Sequence, residues 1–326
     1  DGVMSRGLGD VYKRQEVHRE IGKTGVVGVL RQGNETRSIG LRADMDALPI
    51  SETNEFSHKS KNPGKMHACG HDGHTVMLLA AAKYLAESRS FSGQVNFIFQ
   101  PAEEGLGGAK AMIDDGLFDK FPCDRVYAMH NGPGIAVGKF ASVPGIRTAA
   151  GAFFDIKVIG KGGHGAFPQF AIDPITIAAE IIGAIQTIIS RTTSPNDSAV
   201  LSITKVHAGD AYNVIPESAM LSGTVRTFAI DKMQEIERQM ISISEGISKA
   251  HGGTALVEFN TLFLPVLNEE EATDLATEVC RDMVGQDNVI TTGSAGTGSE
   301  DFSFMSNEIP GCYVIIGNGE DSNALH

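Results

Sequence analysis

The sequence predicts an α/β protein in which a ferredoxin-like domain is inserted into a larger domain with a largely parallel sheet, covered on both faces. Strands alternate with helices over the first 147 residues, the pattern of a parallel sheet with crossover helices. The order then changes to β-α-β-β-α-β, the ferredoxin-like split pattern. We therefore assign residues 16–147 and 265–326 to a discontinuous first domain and residues 148–264 to the insertion.

The elements of the first domain are predicted from short β-rich runs and from the helix-forming segments between them. Predicted strands cover residues 26–30, 38–44, 94–100, 124–129 and 311–316, and predicted helices cover residues 75–86, 109–115 and 268–283. Residues 293–301 (GSAGTGSED) are predicted to form a glycine-rich loop.

The insertion begins with an alternating strand at residues 151–159 and a glycine-rich turn at residues 160–166. A helix is predicted next because Asp173 can cap it, Pro174 suits the first helical position and the segment has a wide apolar face. Further strands are predicted at residues 198–206, 218–227 and 255–261, with a helix at 231–250.

The composition excludes several classes of protein. With 27 Lys and Arg against 40 Asp and Glu, the net charge of −13 argues against nucleic acid and anionic membranes as partners. The sequence contains no run of about 18 apolar residues, so it predicts no membrane-spanning helix. The four scattered cysteines have no disulfide-framework spacing, which predicts reduced thiols in a cytoplasmic protein. Residues 1–15 have no apolar periodicity, and we interpret them as non-native sequence.

Residues 66–75 (MHACGHDGHT) hold the densest metal-binding chemistry in the chain. Cys69 and His71 are separated by one residue and can face the same point, which suits a borderline-soft ion such as Zn²⁺. A competing interpretation makes Cys69 a covalent nucleophile with His71 as its base. The clustered carboxylates elsewhere in the chain favour the metal site, because a cysteine hydrolase does not need them.

Three predicted strands end in further ligand chemistry. Asp44 and Asp46 follow one strand, Glu103 and Glu104 follow the next, and His130 follows a third. Ligands and catalytic groups gather at the carboxyl ends of strands in open α/β sheets. Two divalent ions about 3.5–4 Å apart could activate water there, with one glutamate as ligand and the other as base. The predicted reaction is hydrolysis of an amide or an ester.

Several motifs together resemble a known family: RADMDALP, MHACGHDGHT, QPAEEG, MHN, GKGGHGAFPQ, NVIP with GTVR, GSEDF and NALH. They are similar to those of the hippurate hydrolases, indole-acetyl-amino-acid hydrolases and N-acyl-amino-acid amidohydrolases. This family is a branch of the aminoacylase/carboxypeptidase group of two-metal hydrolases. The resemblance covers residues 20–326 and implies a metal-binding catalytic domain with a lid that also forms a homodimer.

The resemblance also implies roles for individual residues. The implied ligands of the two metal ions, which could be Mn²⁺, Zn²⁺, Co²⁺ or Ni²⁺, are Cys69, His71, Glu104, His130 and His326, with Cys69 bridging. Glu103 is implied as the general base and Asp44 as a residue that orients a ligand. In the lid, His164 would stabilise the oxyanion in the neighbouring subunit's site. Asn213 and Arg226 would contact the substrate's free carboxylate.

The sequence departs from the family pattern at three places. Gln169 stands where many relatives have a histidine, the helix that normally precedes residue 20 is missing, and the family continues beyond the histidine that matches His326. We therefore expect a fragment truncated at both ends. Hippurate-like N-aroyl or N-acetyl amino acids are the expected substrates. A dipeptidase or carboxypeptidase of the same group, and an inactive fragment with a structural metal site, are the alternatives.

Overall fold

A computed structural model describes residues 16–105 and 107–320 of the chain; the segment 1–15 and His326 lie outside the described residues. The chain folds as two compact units. Among the described residues, unit 1 comprises 16–105, 107–147, 266–295 and 300–320, and unit 2 comprises Thr148–Pro265 and Gly296–Ser299.

The strands and helices follow one another along the whole described chain. The strands are β1 (Glu16–Ile21), β2 (Gly25–Gln32), β3 (Ser38–Asp44), β4 (Gly93–Gln100), β5 (Arg125–Gly132), β6 (Phe140–Ala141), β7 (Gly145–Ile146), β8 (Ala150–Ile159), β9 (Gly163–His164), β10 (Ala199–Ala208), β11 (Val214–Ile215), β12 (Ser218–Thr227), β13 (Thr254–Phe263), β14 (Leu267–Asn268), β15 (Val289–Ile290) and β16 (Gly311–Gly317). The α-helices are α1 (His71–Ser88), α2 (Gly108–Asp114), α3 (Leu117–Lys120), α4 (Pro174–Thr187), α5 (Ile230–Ala250), α6 (Glu270–Val284) and α7 (Phe302–Glu308).

The main sheet of unit 1 is mixed and has the strand order β1-β2-β4-β3-β5-β16-β6-β15. The four central strands, β4, β3, β5 and β16, pair in parallel, as predicted. Antiparallel pairs join β1 to β2 and β2 to β4 at one edge. The tight turn between β1 and β2 gives an antiparallel pair because a parallel connection needs a much longer crossover.

Helices cover both faces of this sheet. On β4, Ile98 packs into a buried cluster with residues of α2, α3 and α7, whereas Phe97 and Phe99 pack into a second cluster with Leu78 and Ala82 of α1. Alternate residues of a strand point to opposite faces, so a strand buried on both sides has an almost continuous apolar sequence. A third cluster joins α6 to β16. The parallel strand ends are therefore held by packing from two sides.

Unit 2 contains a four-stranded antiparallel sheet with the order β10-β12-β8-β13. Along the chain its main elements run β8, α4, β10, β12, α5 and β13. Asp173 caps α4 by accepting a hydrogen bond from the Ile175 backbone amide, and Pro174 takes the first helical position. One apolar core joins α4 and α5 to the sheet, with Phe154 and Ile181 among its fully buried side chains.

The segment Pro174–Thr192 is long and apolar enough to cross a membrane, judged by length and composition alone. The core helix of a water-soluble domain passes the same test. Ile177, Ile181 and Ile185 each have at most 1% of their surface exposed and belong to the core of unit 2. We interpret the segment as a core helix.

The predicted elements are present in the structure, and the differences affect the residues of interest. The helix predicted over 75–86 begins earlier, at His71, and the strand predicted over 124–129 continues to Gly132, so that His71 and His130 lie in regular elements. Sequence analysis did not predict β1, α3, α7 or the two-residue strands. β1 (EVHREI) is largely exposed and has no apolar alternation, and α3 and the two-residue strands contain too few residues to show a period.

Candidate metal centre

A glycine sets the position of the ligand-rich loop before α1. Gly70 precedes the first residue of α1, His71, and has a φ of 99°, in the left-handed region. A Cβ atom at Gly70 would lie 2.2 Å from Oδ1 of Asn131 on β5. Only glycine therefore fits this turn, and the close approach holds the loop against the carboxyl end of β5.

Two carboxylates from the end of β3 and one from the loop after β4 surround His71. Its Nδ1 atom lies 3.1 Å from Oδ1 of Asp46. Its Nε2 atom lies 3.7 Å from Oδ2 of Asp44 and 3.8 Å from Oε1 of Glu104. This Nε2 is buried and has no hydrogen-bond partner among the described residues. A buried ring nitrogen that faces carboxylates without a hydrogen bond is available to a cation.

His74 lies one turn further along α1 and is also buried. Its Nδ1 lies 2.6 Å from Oδ1 of Asp44, and its Nε2 lies 2.6 Å from Oδ1 of Asn131. Both ring nitrogens are therefore used in protein contacts. His74 braces Asp44 and Asn131, in contrast to His71, whose Nε2 is free to bind.

Cys69 and His130 face each other across the same end of the sheet. The Sγ atom of Cys69 lies 3.6 Å from Nε2 of His130. The opposite ring nitrogen, Nδ1 of His130, lies 2.7 Å from the carbonyl oxygen of Asn131 and donates to it. That contact leaves Nε2 without a proton, in the tautomer that can bind a metal.

The adjacent glutamates after β4 have different surroundings. Glu104 donates its backbone N–H to Oδ2 of Asp46 at 3.0 Å, which holds it on the His71 side. Glu103 is buried, and its Oε1 accepts the backbone N–H of Asp301 at 3.3 Å. The preceding residue, Ala102, has a φ of 57°, an unusual backbone conformation for a residue with a Cβ atom. The turn thus directs neighbouring carboxylates to different partners.

The candidate ligand atoms form overlapping groups in which all members lie within 4.8 Å of one another. These groups are Cys69–His71–His130, Asp44–His71–His74, His71–Glu103–Glu104 and Glu103–Glu300–Asp301. Unit 1 therefore brings together six of the site residues expected from the sequence, namely Asp44, Cys69, His71, Glu103, Glu104 and His130. The expected fifth ligand, His326, lies outside the described residues.

The ionisation of these groups reflects a pocket that attracts positive charge. Although burial favours the neutral ring of His71, the hydrogen bond from its Nδ1 to Asp46 and the nearby charge of Asp44 raise its pKa to about 11. Burial raises the pKa of the Cys69 thiol. Burial and the neighbouring His74 lower the pKa of His130. In the absence of a metal the proton on His71 supplies the positive charge that these acids require.

The donor set fits divalent transition metals. A thiol, imidazoles with an available nitrogen and carboxylates converge at one sheet edge, and the free Nε2 of His71 points among them. Soft sulfur together with nitrogen and oxygen ligands suits Zn²⁺ and its neighbours better than Mg²⁺ or Ca²⁺.

The expected lid residues lie in unit 2. His164 pairs with Val214 across the short β9–β11 ladder, and Gly165 donates its N–H to the carbonyl oxygen of Asn213 at 2.8 Å. His164 and Asn213 therefore belong to one loop cluster. Arg226 lies on β12, where its Nη1 donates to the Val225 carbonyl oxygen at 3.0 Å and its guanidinium lies 5.8 Å from the centre of the Phe153 ring.

Sequence analysis assigned no role to several residues that line this site. Asp46 was placed at the same strand end as Asp44, yet it is Asp46 that bonds to His71. His74 was part of the dense motif without a role. The contacts of Arg42, Glu300 and Asp301 had no local signal, because these residues meet only in the folded chain.

An α/β fold that gathers a thiol, imidazoles and paired carboxylates at its strand ends defines a metal-dependent hydrolase. The chain belongs to Peptidase family M20/M25/M40, whose sequence profile matches residues 40–326. The resemblance inferred from the motifs is thereby confirmed.

Relatives of known name support the same assignment. The chain is 46% identical over 306 residues to the hippurate hydrolase of Campylobacter jejuni, which covers 94% of the chain and 80% of that protein. It is 43% identical over 251 residues to an N-acyl-L-amino acid amidohydrolase of Geobacillus stearothermophilus, covering 76% of the chain and 67% of that protein.

Solved structures share the fold over the whole chain. An aminohydrolase-like protein from methicillin-resistant Staphylococcus aureus superposes with a TM-score of 0.91 at 32% identity, covering 100% of the chain and 84% of that protein. A Bacillus subtilis protein described as a dinuclear metal-binding peptidase of the M20 family superposes with a TM-score of 0.82 at 33% identity, with the same coverage of 100% and 84%.

Proposed function

We propose that this protein is a metal-dependent amidohydrolase that cleaves the amide bond of N-acyl amino acids. One observation carries the proposal: adjacent carboxylates have separate environments, with Glu104 beside the available Nε2 of His71 and Glu103 buried against Asp301. A structural metal site has no use for the second acid. A hydrolase uses one glutamate as ligand and the other as base.

The proposed ligands of two divalent ions are Cys69, His71, Glu104, His130 and His326. Asp44 and Asp46 would orient them, since Asp46 holds His71 and Asp44 holds the neighbouring His74. Bound ions would lower the pKa of water and polarise the scissile carbonyl. Mn²⁺ and Zn²⁺ are our first choices, and Co²⁺ and Ni²⁺ suit the same donors.

Glu103 is the proposed general base. It takes the proton of the attacking water and passes it to the leaving nitrogen, which then departs as an amine. Burial and the carboxylates of Glu300 and Asp301 raise the pKa of Glu103 far above the usual range of a carboxylic acid. A carboxyl that is already protonated cannot act as a base, so bound cations would have to favour the ionised form of Glu103, which then accepts the proton of the water.

For unit 2 we propose a ferredoxin-like lid that also forms a homodimer, with residues 16–147 and 265–326 as the catalytic domain. β10 is an edge strand, and its Val200 and Val206 are exposed. An exposed edge strand with apolar side chains is suited to pairing with a second chain. His164 of the neighbouring chain would stabilise the oxyanion, and Asn213 and Arg226 would contact the substrate carboxylate.

The proposed substrates are small N-acyl amino acids with an aromatic acyl group, as in hippurate, or with an acetyl group. The name of the Campylobacter relative favours the aromatic group. Dipeptides are the alternative, because the same chemistry cleaves a peptide bond. The net charge of −13 gives no attraction for nucleic acid. All four cysteines are free thiols, which supports a location in the reducing cytoplasm.

The reaction is tested with purified chain that is stripped with a chelator and then given Mn²⁺ or Zn²⁺. We expect metal-restored release of glycine from hippurate or of free amino acids from N-acetyl amino acids, and none from the stripped protein. Metal binding without turnover of these compounds or of dipeptides would refute the proposal and favour an inactive fragment with a structural metal site.

The proposed role of His164 is tested by mixing two inactive variants, His164→Ala and Glu103→Gln. If His164 serves the neighbouring site, mixed dimers contain one complete site. Random exchange should then restore about a quarter of wild-type activity, because about half of the dimers are mixed and half of their sites are complete. No recovery after verified subunit exchange would refute a shared site.

A further inference from the structure

The side chain of Arg42 on β3 is fully enclosed in unit 1, with 1% of its surface exposed. Its Nε donates to Oε1 of Gln100 at 2.8 Å, and its Nη1 donates to Oδ2 of Asp44 at 2.8 Å. Its Nη2 donates to Oε1 of Glu300 at 2.9 Å and to Oδ1 of Asp301 at 3.0 Å. Four of the five N–H groups of an arginine are thus used by three different chain segments.

Two of the three acids bound to Arg42 connect it to the proposed site. Asp44 bonds onward to His74 at 2.6 Å. Asp301 donates its backbone N–H to Oε1 of Glu103 at 3.3 Å. The side chain of Asp301 is fixed in turn by the Ala109 backbone amide at 2.9 Å and by Nε2 of Gln100 at 2.7 Å. Arg42 therefore connects the histidine side of the site to the proposed base.

The shape of the guanidinium matters as much as its charge. Glu300 accepts a second bond from the hydroxyl of Tyr313 at 2.8 Å, and the Phe302 ring lies 5.8 Å from the Arg42 guanidinium carbon. The acids contact different nitrogens of the fork, Asp44 at Nη1 and both Glu300 and Asp301 at Nη2. A lysine carries the same charge as a single point and cannot reach all these acceptors.

We propose that Arg42 is a positioning residue, which acts through Asp301 to hold the Glu103 carboxylate in place for catalysis. The inference rests on the proposed function, in which Glu103 is the base. Glu103 follows the strained turn at Ala102, and the Asp301 N–H is the hydrogen bond from the protein that restrains its Oε1 atom among the described contacts. A base displaced by about 1 Å loses about 100-fold in rate.

The test compares Arg42→Lys and Asp301→Asn with Tyr313→Phe as the matched control. Arg42→Lys keeps a cation among the buried acids but loses the fork. Asp301→Asn leaves Asp44 unchanged. Both carboxylate oxygens of Asp301 accept hydrogen bonds, so the NH₂ group of the asparagine must face N–H donors in place of one of these oxygens. Tyr313→Phe removes a buried hydrogen bond from Glu300 in the same cluster but breaks no link between Arg42 and Glu103.

We expect Arg42→Lys and Asp301→Asn to lower kcat by about 10- to 100-fold, with KM changed less than about threefold. Tyr313→Phe should keep kcat within about twofold, although its melting temperature falls. In the Glu103→Gln background, Arg42→Lys should have almost no further effect, because the group that it positions is already gone. A kcat near the wild-type value in both variants, or losses that multiply in the double variant, would overturn the inference.

Crystal structures of the two variants give a readout that does not depend on activity. We expect the Glu103 carboxylate to leave its place beside the Asp301 N–H in both. An unmoved carboxylate would overturn the inference even if the wild-type chain hydrolysed no amide, whereas that lack of activity by itself refutes only the proposed function. If Arg42→Lys does not fold, Asp301→Asn carries the test, since it retains the buried cation.

Discussion

Replacing Glu103 by glutamine tests the role of its carboxylate in catalysis and leaves the size of the side chain almost unchanged. The amide keeps an oxygen that can accept the Asp301 N–H, so the local hydrogen bond is preserved. It loses the ability to take a proton. A general base contributes about 10²- to 10⁴-fold in rate, which corresponds to about 3–5 kcal/mol of activation free energy. We expect kcat to fall by that factor while bound metal per chain is unchanged.

The same substitution should not destabilise the protein. Glu103, Asp44, Glu300 and Asp301 are buried, and Arg42 is the cation bonded among them. Because the pKa of Glu103 is raised on folding, the metal-free protein loses stability as the pH rises above the unfolded-state value of about 4.3 towards the raised folded-state value. The glutamine variant lacks this term, and its melting temperature should fall less as the pH rises.

The assay measures hippurate hydrolysis, metal content and thermal unfolding for wild type, Glu103→Gln and the control Glu278→Gln. Glu278 is an exposed residue of α6, and its substitution should leave all three unchanged. Retention of more than a tenth of wild-type kcat, with metal bound, would show that Glu103 is not the base. Loss of metal together with activity would make Glu103 a ligand.

The remaining predictions concern the proposed metal ligands and the residues that support them. Asp46→Asn should weaken metal binding by about 10- to 100-fold, because it removes the carboxylate that holds Nδ1 of His71. Isothermal titration calorimetry measures the Kd of the metal, and an unchanged Kd would contradict this prediction. Gly70→Ala should lower the melting temperature and the metal content, since its Cβ would lie 2.2 Å from Asn131 Oδ1; wild-type values of both would show that the loop can shift. Metal binding should release protons and should weaken as the pH falls, because the raised pKa of Cys69 keeps its thiol protonated at neutral pH. Calorimetry in buffers of different ionisation enthalpy should detect the released protons. The absence of proton release would exclude a thiolate ligand.

The sequence predicted the parts of the site that carry a local signal. Strand ends at Asp44 and Glu103 were predicted because each follows a β-rich run, and the cluster around Cys69 stood out by density alone. Which of two nearby carboxylates bonds to His71 had no such signal. Asp44 and Asp46 follow the same strand, and only the turn between them directs Asp46 to the ring.

Contacts between distant segments could not be predicted from local pattern. Arg42 and Asp301 are separated by 259 positions, and the Asp301 N–H reaches Glu103 across 198 positions. The glycine-rich residues 293–301 precede the seven-residue helix α7, and their sequence has no periodicity that predicts contact with the strand ends. Pairing of this kind depends on how the whole of unit 1 packs, which periods of 2 and 3.6 residues do not encode.

Several energetically unfavourable features lie together around the candidate metal centre. Ala102 adopts a left-handed φ of 57°, the Nε2 of His71 is buried without a hydrogen-bond partner among the described residues, and three carboxylates bond to one buried arginine. Each of these raises the free energy of the metal-free fold, by about 1–3 kcal/mol for the backbone outlier alone. A cation that binds the folded state lowers these free-energy costs, because the free nitrogen of His71 binds it and its charge neutralises the acids. Metal binding and folding are therefore coupled in unit 1, and the ions that support hydrolysis should also stabilise the loop and strand ends that hold them.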